Sequence, residues 1–220
     1  MNFPRINVLA GVNGAGKSSV AGATIRSAGG FYYNPDETAR ELKLANPGLS
    51  QTQANSAAWH RGRDLLEQAI AQRLDFTFET TLGASTITRL LIDAAKQGIE
   101  VHVWYTGLVT AELHIARVRA RVARGGHDIP EDTIRRRFDH SRLNLITLLP
   151  LLASLRVYDN SVEGDPAAGK APRPVLVLQM KGGLVLNPRD LPRAPDWAKP
   201  IVAAALKSAT ARSVTIKPLK

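Results

Sequence analysis

Residues Gly11–Val20 spell GVNGAGKSSV and follow directly on the apolar run INVLA. Gly11, Gly16, Lys17 and Ser18 fill the fixed positions of the phosphate-binding pattern G-x-x-x-x-G-K-[ST], which requires a strand before it and a helix after it. Gly14 and Gly16 let the backbone ring a phosphate with N–H groups where a Cβ would obstruct it. Lys17 is suited to the β/γ-phosphates and Ser18 to Mg²⁺, and the helix that follows turns its positive end toward the anion. The pattern assigns ATP contacts to Gly11, Asn13, Gly14, Ala15, Gly16, Lys17, Ser18 and Ser19, and implies no cofactor other than Mg²⁺.

Around this loop, short apolar β-branched runs alternate with helical patterns, the signature of a parallel sheet covered by helices. Strands are expected at Ile6–Ala10, Phe31–Tyr33, Asp75–Glu79, Val101–Tyr105 and Leu155–Tyr158. Helices are expected at Lys17–Ser27, Glu37–Ala45, Gln53–Gln72, Ser85–Gln97, Ala111–Ala123 and Glu131–Leu148. The fold class is therefore α/β, a three-layer phosphate-loop fold of the nucleoside-kinase type with about five parallel strands. Residues 1–161 are expected to form the phosphate-loop core. Residues 162–220 add a loop at Val162–Pro174, a hairpin turned at Lys181-Gly182-Gly183 and a basic tail, packed on the same domain.

Bulk properties narrow the partners. The 220 residues suit one well-buried domain, and the N-terminus enters the first strand without a signal peptide. No apolar run approaches the ~20 residues of a membrane span. Cysteine is absent, which fits a cytoplasmic protein, and the five histidines lack metal-ligand spacing. Net charge is +10. Between Arg117 and Arg142 lie eight arginines, no lysine and four acids, a bias toward planar donors for phosphate. Nucleic acid is the competing partner, but no helix-turn-helix, RNP or zinc-finger pattern accompanies the charge.

GTPases are excluded, because no aspartate has glycine three places on and the nearest base-reading motif, NPRD at Asn187–Asp190, lacks its lysine. A small-molecule kinase needs a carboxylate to take the acceptor proton and an arginine-rich lid to neutralise the moving phosphoryl group. NPDET places Asp36 at the sheet's C-terminal edge, and FETT places Glu79 and Thr80 there too. Arg117–Phe138 is the lid, two helices hinged at Gly125-Gly126. Plainer roles compete: Asp36 as a helix N-cap, Glu79 as a structural partner of lid arginines, and His127 as a turn residue.

Taken in order, AGVNGAGKSS, YNPDETA, FTFETTLG, VHVWYTGL, RVRARVARGGHDIP and RVYDNS resemble the zeta-toxin family of phosphate-loop kinases, most closely its short bacterial members. For the longer toxins the resemblance implies ATP-dependent phosphorylation of a UDP-amino sugar such as UDP-N-acetylglucosamine. It also implies a small antitoxin that masks the ATP site. Lys17 matches the loop lysine, Ser18 the metal-binding hydroxyl, Asp36 the proposed base and Glu79 a substrate-contacting acid. Arg121, Arg124, Arg136 and Arg137 are the choices for the two phosphate-binding arginines, and His127 is a replacement for one of them. The expected activity is ATP:alcohol phosphotransfer to a small anionic metabolite. Kinases of a nucleoside or another metabolite, and a nucleic-acid-binding regulator with an ATP switch, are the alternatives.

Overall fold

The computed structural model describes residues 3–22, 25, 27, 30–162 and 173–215. Among the described residues, six strands form one sheet in the order β2-β1-β3-β4-β5-β6. β1 (Arg5–Ala10), β2 (Phe76–Thr80), β3 (Glu100–Gly107) and β4 (Ser154–Asp159) run parallel. β5 (Val175–Lys181) pairs antiparallel with β4, and β6 (Leu184–Val185) with β5. The turn between them is Gly182-Gly183, both at positive φ (58° and 82°), which glycine reaches without strain.

The expected strand at Phe31–Tyr33 is reduced to one parallel bridge, Tyr33 to Phe78, and Phe31 is 95% exposed. The cause is local. Asn34-Pro35 starts a helix at once: Pro35 supplies a preset φ at its first position, and Asn34 Oδ1 caps it by accepting from Asp36 N at 3.0 Å. This helix, α1 (Pro35–Ala45), begins two residues earlier than the sequence pattern places it. Asp36 therefore lies inside its first turn and is not its N-cap.

A second departure follows the phosphate loop. Where a helix is expected at Lys17–Ser27, Lys17, Ile25 and Ser27 are helical but Ser18–Gly22 forms a five-residue π-helical turn, and residues 23, 24 and 26 lie outside the described residues. Most of the expected loop at Val162–Pro174 also lies outside them.

The other helices are α2 (Gln51–Gln72), α3 (Ser85–Lys96), α4 (Ala111–Val122), α5 (Glu131–Leu148) and α6 (Lys199–Thr215). Leu66 and Ile70 of α2, Leu91 of α3, Leu145 and Leu148 of α5 and Ile201 of α6 meet Ile6, Val8, Val101, Val103, Leu155 and Val157 of the sheet in one apolar cluster. Burial of side chains this large, at about 1.5–3 kcal/mol each, is what holds the helices to the sheet. A smaller cluster joins Val12 of the phosphate loop to Ile115 and Val118 of α4 and Ile134 of α5. The α4–α5 arm thus rests on the loop itself. Among the described residues no helix is long and apolar enough to cross a membrane.

Candidate active site

β1 delivers the phosphate loop at the C-terminal edge of the sheet, where its register sets Ala10 beside Thr80 of β2 and Tyr105 of β3. Gly11 has no room for a side chain: a Cβ there would lie 2.2 Å from Thr106 O. Its N–H donates to Thr80 O at 3.2 Å, so it anchors the loop to β2. Ala15 is fully buried and its N–H closes the loop on Val12 O at 3.0 Å. Ser19 is exposed, with its N–H on Gly16 O at 3.1 Å.

Lys17 and Glu79 are both 8% exposed, and Lys17 Nζ lies 3.4 Å from Glu79 Oε1. The other carboxylate oxygen accepts from Ser18 Oγ at 2.9 Å. Glu79 is therefore satisfied by the phosphate loop rather than by lid arginines. Among the described residues no three His, Asp or Glu side chains gather as a metal cluster. A hydroxyl and a carboxylate side by side are nonetheless the hard oxygen donors that Mg²⁺ takes alongside phosphates and water.

A cleft of about 540 Å³ opens beside this group. Lys17, Glu79, Asp36, Thr80, His127, Arg136 and Arg137 all line it, with Tyr33, Phe78 and Trp59 as its aromatic wall. Arg137 is anchored to the phosphate loop. Its stem lies over Gly83, where a Cβ would meet Arg137 Cγ at 2.6 Å, and its Nη1 donates to Asn13 Oδ1 at 2.7 Å. Burial, then the neighbouring Arg136 charge, lower its pKa from the ordinary arginine value. The loop after β2 is fixed from α5, by Ser141 Oγ donating to Thr81 O at 2.6 Å and Asn144 Nδ2 to Leu82 O at 2.6 Å.

The expected site residues do not all converge. Arg121 reaches Asp36, at 3.4 Å from Nη1 to Oδ2, and donates from Nη2 to His127 O at 3.0 Å. His127 Nε2 lies 3.7 Å from the other Asp36 oxygen, and burial lowers its pKa against the opposing pull of Asp36. Arg124 is not brought to the cleft. It is exposed, just past the end of α4, and donates from Nε back to Ala120 O at 3.2 Å.

His114 and Asn160, given no role by the sequence pattern, also bond the loop. His114, 1% exposed on α4, bonds Asn13 O through Nδ1 at 2.8 Å. Asn160, 5% exposed after β4, donates from Nδ2 to Ala15 O at 2.9 Å. The only signal for Asn160 was its place at the end of a strand in RVYDNS, and His114 had none.

Residues 2–165 match the zeta toxin family. An uncharacterized protein of Haemophilus influenzae is 33% identical over 128 residues, covering 58% of this chain and 88% of its own. The crystal structure of AvrRxo1-ORF1 with ORF2 and ATP aligns with a TM-score of 0.65 at 17% identity, over 92% of this chain. This chain spans 64% of that one, less than two thirds of its length. The PezAT chromosomal toxin–antitoxin system of Streptococcus pneumoniae aligns at 0.53 and 16% identity, over 72% of this chain and 68% of its own. At these identities the two structures speak for the fold alone.

Proposed function

Because this chain belongs to the zeta toxin family, we propose that it is an ATP-dependent kinase of a hydroxyl on a small anionic metabolite. The observation that carries this is one cleft lined by the phosphate-loop lysine, a half-exposed carboxylate and two arginines: Lys17, Asp36, Arg136 and Arg137. ATP phosphates enter the loop and compete with Glu79 for Lys17. Ser18 and Glu79 would hold the Mg²⁺ that arrives with the nucleotide, and the ion would supply charge neutralisation at the phosphates. Arg136 and Arg137 face the phosphoryl group in flight, where fixed cations lower the barrier most. Asp36 accepts the acceptor's proton, with Arg121 and His127 holding its two oxygens in place.

The acceptor lies between Asp36 and the wall of Tyr33, Phe78 and Trp59, with Thr80 within the same lining. The first choice is a UDP-amino sugar, and its class is tested by offering Mg·ATP with UDP-N-acetylglucosamine, other nucleotide sugars and nucleosides. The expected result is a product one phosphate heavier by mass spectrometry. Activity only toward nucleosides would overturn the nucleotide-sugar assignment, and ATP hydrolysis unaffected by any acceptor would overturn the kinase itself. A small protein covering the nucleotide face is the partner that suits the same proposal.

A further inference from the structure

A phosphate loop grips an anion only while its N–H groups face inward, since a carbonyl turned into the ring would repel the phosphate oxygens. Glycine makes the necessary backbone shape accessible but does not select it. Gly14 and Gly16, at φ 81° and 84°, leave the 13–14 and 15–16 peptides to be oriented by something else. In this protein both are held from outside the loop. His114 Nδ1 bonds Asn13 O at 2.8 Å, and Asn160 Nδ2 donates to Ala15 O at 2.9 Å.

In a trans peptide the C=O and the following N–H point in opposite directions. No described peptide is cis. Holding Asn13 O toward His114 therefore turns Gly14 N–H the other way, and holding Ala15 O toward Asn160 does the same for Gly16 N–H. The glycines fit their clamps closely. A Cβ at Gly14 would lie 2.8 Å from His114 O, and one at Gly16 would lie 2.5 Å from Asn160 Nδ2.

We infer that His114 and Asn160 are positioning residues of the anion site, fixing two peptide planes so that Gly14 and Gly16 N–H groups face the nucleotide's phosphate. The inference rests on the phosphate loop being the nucleotide site. Each clamp is chemically restricted to the donor role. Burial, aided by the Lys17, Arg117 and Arg142 charges, pushes the His114 pKa down to about 4. The ring is thus neutral near pH 7, and its bond to a carbonyl puts the single proton on Nδ1. Asn160 leaves Oδ1 buried and unpartnered among the described residues in order to present Nδ2, because the flipped amide would aim oxygen at oxygen.

The test is calorimetric titration of the full chain with Mg·ADP, which needs no acceptor. Wild type should bind, His114→Leu about tenfold more weakly, and Asn160→Asp at least as weakly as that. His114→Asn carries an amide nitrogen where Nδ1 was and should return to within about threefold of wild type. In turnover assays the loss should fall on KM for ATP and spare kcat, and unfolding temperature should not follow the order of affinities. Equal affinity in wild type and His114→Leu overturns the inference. So does a tenfold or greater loss in His114→Asn, a result that decides the matter even if the leucine variant does not fold. A wild type that binds no ADP overturns the nucleotide-site assignment and the inference together.

Discussion

Arg121 Nη1 stands 3.4 Å from Asp36 Oδ2, while Nη2 of the same guanidinium holds His127 O at 3.0 Å. One side chain thus ties the turn between α4 and α5 to the carboxylate at the start of α1. Its effect on chemistry passes through the orientation of Asp36. Arg121→Ala should lower kcat roughly ten- to a hundredfold, the scale of a misplaced catalytic group, with KM for ATP nearly unchanged. Arg137→Ala should lower kcat further, roughly 10²–10³-fold, because it removes a cation that faces the phosphoryl group itself. Steady-state kinetics on both variants check this, and an unchanged kcat in either would contradict the role given to that arginine.

Asp36 is the proton acceptor in this scheme, and its removal is clean in this protein. Asn34 caps α1, so Asp36→Asn leaves the helix start intact. Turnover should fall roughly 10²–10⁴-fold while Mg·ADP binding and the unfolding temperature hold. Full turnover in Asp36→Asn would remove it from the chemistry.

Lys17 and Glu79 form a buried pair, so removing either charge strands the other. Lys17→Ala should destabilise by roughly 3–5 kcal/mol as well as lose roughly 10²–10⁴ in rate. Adding Glu79→Gln should recover much of the stability and none of the activity. Denaturant unfolding of the two single variants and the double variant measures the coupling.

His114 sets an acid limit on stability. Its folded-state pKa of about 4 lies below the ordinary 6.5, so the unfolded chain takes up the proton first as pH falls. The contribution is complete above pH 6.5 and is lost between 6.5 and 4, at up to about 1.4 kcal/mol per pH unit. His114→Asn should unfold with a shallower acid slope than wild type. Parallel slopes across that window would refute the assignment.

How much of this was legible in the sequence follows from how local each signal is. The phosphate loop is a backbone requirement written in consecutive residues, so Gly11–Ser18 shows it without help from the fold. Four parallel strands could be read because each is a short apolar run between helical patterns. The strand at Phe31–Tyr33 fails because Asn34-Pro35 starts a helix too soon for pairing to extend. Asp36 was ambiguous as a cap only until the structure gave that task to Asn34. Arg121 carries the same charge as Arg136, and its turn toward Asp36 depends on how the arm folds back. His114 and Asn160 were hidden by distance, lying 101 and 145 residues from their partners in the loop. Nothing nearby in the chain marks His114, and only its place at the end of a strand marks Asn160.

The antiparallel pairing of β5 on β4 has a consequence for any attempt to trim this protein. The segment matched to the family stops at residue 165, just past β4, whereas β5 begins at Val175. A chain cut at that limit would end its sheet on Ser154–Asp159, whose backbone donors and acceptors now face Val175–Lys181. Such a bare rim is a template for a strand from another molecule, so the shortened protein would be driven to self-associate. Met180, Trp197 and Ile201, all in the main core, would leave with the discarded piece and uncover an oily face. The tail works as a built-in shield against other copies of the chain.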